Sequence, residues 1–241
     1  MESRFGVLNK GIESFFLCAV QPEQKKLWIY SSALILGILL VDQIVKFYVK
    51  THFYLGESVE VTNWFYIRFV ENNGIAFGME IFSNKIFLTI MRILAVGALC
   101  YYLRYLIKKG VTKGYVYSIA AIIAGAAGNI IDCVFYGRCF NSSVGRVADF
   151  LPEGGGYAPL FYGKVVDMLQ FPLFSFTWPE WLPFVGGNSA TFFSPIFNLA
   201  DSAITISVFV IIIFYRKYLS EESDKDNNKT KVEEVKDETV Q

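Results

Sequence analysis

The sequence predicts an all-α polytopic membrane protein with four transmembrane helices and a small extracytoplasmic β element between helices 1 and 2. Three observations support this fold class. Of the 241 residues, 54% are hydrophobic and only 18% are charged, and the mean hydropathy is +0.39, which is unusual for a soluble domain. Four apolar runs are each long enough to cross a hydrocarbon core of roughly 30 Å. Basic residues are concentrated on one side of those runs.

The four predicted spans cover residues 27–45, 86–107, 115–136 and 192–215. The basic residues that flank them are Lys25, Lys26, Arg104, Lys108, Lys109, Lys113, Arg216 and Lys217. Because positively charged loops stay in the cytoplasm, both termini and the loop between the second and third spans are predicted to be cytoplasmic. The two longer connecting segments, 46–85 and 137–191, are then extracytoplasmic.

Residues 27–217 are predicted to form one four-helix membrane domain. Residues 1–26 are expected to be an N-terminal cytoplasmic extension, and residues 218–241, which are mostly charged or polar, a disordered cytoplasmic tail. Lys plus Arg equals Asp plus Glu at 22 each, so no basic field indicates a nucleic-acid partner. The single histidine, His52, and the scattered cysteines do not form a metal-binding motif. We expect no cofactor, no metal and a monomer.

Polar residues occur within the predicted spans at one level. Asp42 lies near the outer end of the first span, Asn129 and Asp132 in the outer part of the third, and Asn198 and Asp201 in the outer part of the fourth. An ionised Asp at a helix centre costs about 2.5 to 3.5 kcal/mol on insertion scales, and such residues usually face a cavity or a partner. The convergence therefore predicts a polar site in the outer half of the bilayer.

A purely structural explanation competes with this one. Asp42 can pair with Lys46 one turn later, and the two Asn-x-x-Asp pairs can join helices. It does not account for Asp167, which lies in an apolar stretch shortly before the fourth span. We expect Asp167 to approach Asp201. Two carboxyl groups within hydrogen-bond reach share a proton, so one can activate water while the other donates a proton, as in aspartic proteases.

Five motifs occur in the order found in the lipoprotein signal peptidases, also called signal peptidase II. They are DQIVK (42–46), NNGIAFG (72–78), GNIID (128–132), GKVVDML (163–169) and FNLAD (197–201). The chain resembles this family over about residues 27–217. The resemblance implies an aspartic endopeptidase of the bacterial cytoplasmic (inner) membrane, with its active site near the outer face. Its expected substrate is a diacylglyceryl-modified prolipoprotein, cleaved before the lipidated Cys.

The resemblance also implies roles for individual residues. Asp167 and Asp201 match the catalytic dyad of the family. The residues that match substrate-binding or site-bracing positions are Asn72, Gly74, Asn129, Asp132 and Asn198, and those that match structural positions are Asp42 and Lys46. The implied partners are the prolipoprotein and the lipid bilayer, and no cofactor is implied.

The sequence departs from the family pattern in two places. Family members commonly have Arg directly after the Asp of the GNxxD motif, whereas this chain has Cys133; Arg138 or Arg146 could supply the missing charge. An insertion at 138–162, either a lid or a surface loop, contains a second candidate acid, Asp149, in GRVADFL. We favour Asp167 because two valines precede it and the segment after it leads to the fourth span.

A small transporter or channel is the alternative function, with intramembrane acids that move cations or protons. Such proteins are expected to show repeated halves or acids near the bilayer midplane, and this sequence shows neither. The presenilin-like intramembrane proteases need a GxGD motif, which this sequence lacks. The peptidase interpretation is therefore preferred.

Overall fold

The computed structural model describes residues 21–73, 85–192 and 195–218, with the side chains of 190–192 excepted. Its long helices are α1 (Pro22–His52), α2 (Lys85–Lys109), α3 (Lys113–Ile131) and α4 (Leu199–Phe214). The first three, with α3 continued to Cys139, are long and apolar enough to cross a membrane, whereas α4 is a shorter apolar helix of 16 residues. Helices able to span a membrane are thus confirmed, while a fourth full-length span is not.

The helix that contains the first predicted span is longer than that span, and the predicted start of the fourth span was wrong. Helix α1 begins at Pro22, a residue type favoured in the first helical turn, and so includes the lysines that were expected to precede it. The fourth span was predicted to begin at residue 192, but Phe192 ends a β-strand and α4 begins only at Leu199. The reason is local: Asn198 is extended and caps the helix through its side chain.

Helix α3 is the centre of the bundle and packs against α1, α2 and α4. Over half of its apolar window is buried, against 17% for α1 and 11% for α2. Small residues explain the close packing with α4, because a Cβ on Gly125 would overlap the carbonyl oxygen of Ala200. Helices α1 and α2 therefore leave most of their apolar side chains on the outer surface of the bundle.

The C-terminal end of α3 changes its helical form. An α-helical ladder ends at Ile131, a π-helical turn covers Asp132–Tyr136, and one further turn covers Gly137–Cys139. We predicted a continuous span over 115–136 without this change. Such π-turns are frequent at functional sites, because the extra residue per turn re-aims the neighbouring side chains.

The two segments that were predicted to be extracytoplasmic together form two antiparallel sheets. The larger has strand order β1-β2-β3-β6, with β1 (Ser58–Thr62), β2 (Phe65–Asn72), β3 (Val165–Gln170) and β6 (Ile196–Phe197). The smaller pairs β4 (Phe174–Thr177) with β5 (Ser189–Phe192). The predicted β element between the first two helices is present as β1 and β2. The pairing of β2 with β3, and of β3 with β6, was not predicted.

Residues 138–162 pack against the helix bundle and do not extend away from it. Phe140 and Phe150 form an isolated bridge, and Phe140 packs in a core cluster with Val49 and Phe69. Below it, Lys50 forms an ion pair with Glu71, and the hydroxyl of Ser143 donates to Glu71 at 2.8 Å. These three side chains are almost fully buried. The segment is therefore tied to α1 and β2 through buried polar contacts.

Candidate active site

A cavity of about 330 Å³ lies where β2 and β3 meet α2, α3 and α4. Its polar lining consists of Asn72, Arg92, Asn129, Asp167 and Asp201, and its apolar lining of Ala95, Val96, Leu99, Ala126, Val165 and Ile204. The polar residues come from five different elements. The cavity is thus a site assembled by the whole fold, with both predicted acids on its wall.

Asp201 lies in the first turn of α4. The side-chain oxygen of Asn198 accepts a hydrogen bond from the Asp201 amide at 2.8 Å, which caps the helix. The carboxylate of Asp201 accepts a hydrogen bond from Asn129 Nδ2 at 2.7 Å. An acid in the first turn also interacts favourably with the positive end of the helix dipole. The local sequence FNLAD therefore fixes the direction in which this carboxylate points.

Asp167 reaches the same cavity from strand β3. It is 3% exposed, and its Oδ1 accepts a hydrogen bond from Asn198 Nδ2 at 2.7 Å. The same Nδ2 is 3.0 Å from Asn129 Oδ1. Two asparagine amides thus connect the carboxyl groups of Asp167 and Asp201 through a continuous set of hydrogen bonds. Asn72 at the end of β2 supplies another hydrogen bond to Asp167.

The protonation of Asp167 is shifted by these surroundings. Burial raises the pKa of Asp167 to about 7, and the nearby carboxylate of Asp201 acts in the same direction. The hydrogen bonds from Asn72 and Asn198 oppose the shift but do not cancel it. Near neutral pH a large fraction of Asp167 therefore carries a proton, which is the state required of an acid that donates one.

A buried lysine forms ion pairs and a hydrogen bond with residues that position the site. Lys46 Nζ lies 2.9 Å from carboxylate oxygens of both Asp42 and Asp132, and 2.9 Å from Asn129 Oδ1. Asp42 accepts a hydrogen bond from the amide of Ala200 at 2.9 Å. Lys46 thus joins α1 to the end of α3, and its partner Asp42 holds the first turn of α4.

Asp132 connects the π-turn to β3. Its Oδ2 accepts a hydrogen bond from the Val166 amide at 3.2 Å, one residue before Asp167. Gln43, which sequence reasoning missed, donates to Asp132 Oδ1 at 2.9 Å and to Asp42 Oδ2 at 3.2 Å. The sequence feature that could have identified Gln43 is its position directly after Asp42 in the DQIVK motif. These contacts position β3 relative to the helices.

Arg92 of α2 was not among the predicted site residues. It lines the cavity, and its Nη1 donates to the sulfur of Cys133 at 3.4 Å. The positively charged side chain that contacts Cys133 is therefore Arg92 of α2, and not the proposed Arg138 or Arg146. Arg146 instead forms an exposed ion pair with Asp149.

The other candidate residues lie away from these contacts or outside the described ranges. The side chain of Asp149 is 60% exposed and accepts hydrogen bonds from Arg146 and Asn141. It is not among the residues that line the cavity. Gly74 lies outside the described residues. The geometry brings Asp167, and not Asp149, together with Asp201.

A family model described as signal peptidase (SPase) II matches residues 34–217. The chain belongs to the signal peptidase II family. A lipoprotein signal peptidase of Porphyromonas gingivalis is 45% identical over 213 residues, which cover 84% of this chain and 94% of that protein. One from Amoebophilus asiaticus is 34% identical over 209 residues, 83% of each chain. Membership of this family makes the chain a membrane protease.

Solved structures share the fold. A bacterial membrane enzyme determined by the in meso method at 2.3 Å resolution has a TM-score of 0.53 and 27% identity, over 81% of this chain and 91% of that one. A second, at 1.9 Å resolution, has a TM-score of 0.50 and 28% identity, over 76% and 90%. The fold of these membrane enzymes therefore extends over most of the chain.

Proposed function

We propose that this chain is an aspartic endopeptidase of the bacterial cytoplasmic membrane that removes the signal peptide from diacylglyceryl-modified prolipoproteins, cleaving before the lipidated Cys. Asp167 and Asp201 are the catalytic dyad. The observation that carries the proposal is the pair of carboxyl groups on one cavity wall, connected through the amides of Asn198 and Asn129.

The two acids take different roles in the proposed reaction. Asp201, held by Asn129, accepts a proton from the attacking water as its oxygen bonds to the scissile carbonyl carbon. Asp167, whose pKa is raised, donates its proton to the carbonyl oxygen. The tetrahedral intermediate then collapses: the C–N bond breaks, the leaving nitrogen takes the proton held by Asp201, and Asp167 recovers its proton.

Neighbouring groups support this chemistry by position. Asn72 and Asn198 hold Asp167, and Arg92 contributes a positive charge to the wall on which negative charge develops. The apolar lining residues of α2, α3 and α4 fit an extended apolar peptide. An extracytoplasmic site, with both termini in the cytoplasm, agrees with the distribution of basic residues.

The test is cleavage of a diacylglyceryl-modified prolipoprotein by the full chain purified in detergent. Asp167→Asn and Asp201→Asn each keep the side-chain shape and remove the charge, so turnover should fall more than about 100-fold. Asp149→Asn is the matched control and should keep wild-type activity. An inactive Asp149→Asn with an active Asp167→Asn would overturn the dyad and leave the enzyme class standing. Failure of the wild type to cleave would reopen the transporter interpretation.

A further inference from the structure

Residues 171–192, here called the aromatic hairpin, form an excursion from the main sheet. Its two ends meet where Gln170 of β3 pairs with Ile196 of β6. Between them, β4 and β5 run antiparallel and a loop joins them. The sequence of the hairpin is rich in Phe and Trp and contains a single ionisable side chain, Glu180. The peptidase chemistry described above uses none of these residues.

The tip of the aromatic hairpin is an ordered loop. Backbone hydrogen bonds join Trp178 to Asn188 at 3.0 Å and Gly187 to Trp178 at 2.9 Å. Within the loop, the amide of Gly186 donates to the carbonyl of Leu182 at 3.0 Å. These bonds fix the backbone, so the directions of the side chains at the tip are determined by the fold.

The ordered tip points its largest apolar side chains away from the protein. Trp181 is 78% exposed and Phe184 is fully exposed, and Leu173 and Phe174 at the base are more than half exposed. Phe184 also has φ +70°, a left-handed conformation that is unfavourable for a residue with a Cβ. Within the part of the chain that the structure describes, the side chain of Phe184 is fully exposed, and a strained, exposed aromatic residue indicates a contact outside this part.

The position of the base of the hairpin in the fold indicates what its tip contacts. The excursion ends at β6, and α4 begins at Leu199, directly after Asn198. At about 3.3 Å per residue, a strand of four residues reaches only about 13 Å. The base of the hairpin therefore leads through β6 into the first turn of an apolar helix, and the short strands keep the tip close to that base. Phe171 stacks on Phe65 at 5.0 Å, which continues the aromatic surface back to the main sheet.

We propose that the aromatic hairpin inserts its tip, Trp181 and Phe184, into the interfacial layer of the lipid bilayer. Trp and aromatic side chains are enriched at this depth, where an apolar ring meets polar headgroups. The near absence of charge fits a lipid surface better than the polar rim of a transient protein contact. Membrane attachment here holds β3 and β6 at a fixed depth. This inference stands apart from the catalytic proposal.

The test measures fluorescence quenching in the full chain, reconstituted in vesicles of phosphatidylethanolamine and phosphatidylglycerol. The chain has four tryptophans; Trp28→Phe, Trp64→Phe and Trp178→Phe leave Trp181 as the reporter. Two reference reporters are placed in a tryptophan-free background. Leu36→Trp, on the exposed side of α1, reports lipid, and Val144→Trp, at an exposed position among polar residues, reports water.

Bromine-labelled lipid should quench Trp181 at least about threefold more strongly than it quenches the Val144→Trp reporter, and aqueous iodide should quench Trp181 less. Quenching of Trp181 that matches the Val144→Trp reporter would overturn the proposal in favour of a water-exposed tip. Protection of Trp181 from both quenchers would overturn it in favour of a protein partner or a second copy.

A second variant keeps the test independent of the reporter at 181. In a background that retains Trp178 alone, Phe184→Ser should lower quenching of Trp178 by brominated lipid at least about twofold, because the tip then lifts away from the bilayer. Circular dichroism and elution volume report that the variant is folded. Unchanged lipid quenching in a folded Phe184→Ser variant would contradict insertion of the tip.

Discussion

Asp167 has an acid–base behaviour that can be tested without substrate. Its folded-state pKa of about 7 lies above the ordinary value of 3.8, so unfolded chains ionise this group at lower pH than folded ones do. The free energy of unfolding therefore falls as pH rises from about 4 to about 7, and this loss is complete above that range. Asp167→Asn removes the cost of burying this charge.

We accordingly expect Asp167→Asn to raise the melting temperature relative to wild type at pH 7.5 and to leave it almost unchanged at pH 4. The measurement is thermal unfolding in one detergent across this pH range. Asp149→Asn, on an exposed acid, is the control and should show no such growth with pH. A melting temperature of Asp167→Asn below that of wild type at pH 7.5 would show that the folded protein does not raise the pKa of Asp167.

Arg92 is the second residue whose role can be isolated. Because Arg92 lines the cavity, Arg92→Gln should reduce kcat/KM about tenfold, the usual size of one lost charge-assisted hydrogen bond. Arg92→Lys should recover part of it. Arg104→Gln, on an exposed residue near the C-terminal end of the same helix, is the matched control. Equal kcat/KM for Arg92→Gln and Arg104→Gln would remove Arg92 from the site.

The close contact of α3 with α4 governs the site at the level of helices. A Cβ on Gly125 would overlap the Ala200 carbonyl, whereas a Cβ on Gly97 of α2 meets nothing within 4 Å. Gly125→Ala should therefore separate the helices and destabilise the fold by about 1 to 3 kcal/mol. Gly97→Ala should be neutral or slightly stabilising. The comparison requires melting curves and activity for both variants, and equal behaviour would contradict tight packing at Gly125.

The elements differ in how far the sequence determines them. Apolar runs predicted the long helices because a bilayer imposes a minimum length on any apolar segment that crosses it. The start of α4 was missed because Phe192 and Ile196 are as apolar as a membrane helix, although they belong to strands. Strand pairing between segments about 100 residues apart, as in β2 with β3, depends on tertiary structure that no local pattern encodes.

The residues of the site show the same division. Asp42, Asn129, Asp132, Asn198 and Asp201 were recognised because polar groups are rare and costly in apolar helices. Arg92 and Gln43 were not recognised, because a long polar side chain in a membrane helix can also extend to the interface. Only the packing of α1 and α2 against α3 shows which way each one points.

At the scale of the whole molecule, the buried cluster of Lys50, Glu71 and Ser143 connects residues 138–162 to the membrane domain. Burial disfavours the charged form of Glu71, but the Lys50 ammonium and the hydrogen bonds from Ser143 and Lys164 outweigh it and hold the pKa of Glu71 below its usual range. Removing one partner of such a pair leaves the other charged and buried, which typically costs about 3 to 5 kcal/mol.

Glu71→Ala should therefore lower the melting temperature strongly and expose residues 140–156 to limited proteolysis. Asp149→Ala, which removes an exposed ion pair with Arg146 in the same segment, should cost less than about 1 kcal/mol. Proteolysis followed by mass spectrometry distinguishes the two variants. Comparable protection of the segment in both would show that the buried cluster does not fasten it.

The length of α4 has a consequence for the surrounding lipid. Sixteen residues at 1.5 Å each span about 24 Å, less than a typical hydrocarbon core of about 30 Å. If α4 crosses the bilayer, local thinning of the lipid is one way to match its short length, and the lipid surface would then dip beside the first turn of α4, where Asp201 lies. Such a dip would shorten the path of water to the carboxyl groups and let a lipid-anchored chain approach them from the side. The thickness of the host membrane would in that case help to determine how readily the cavity is reached.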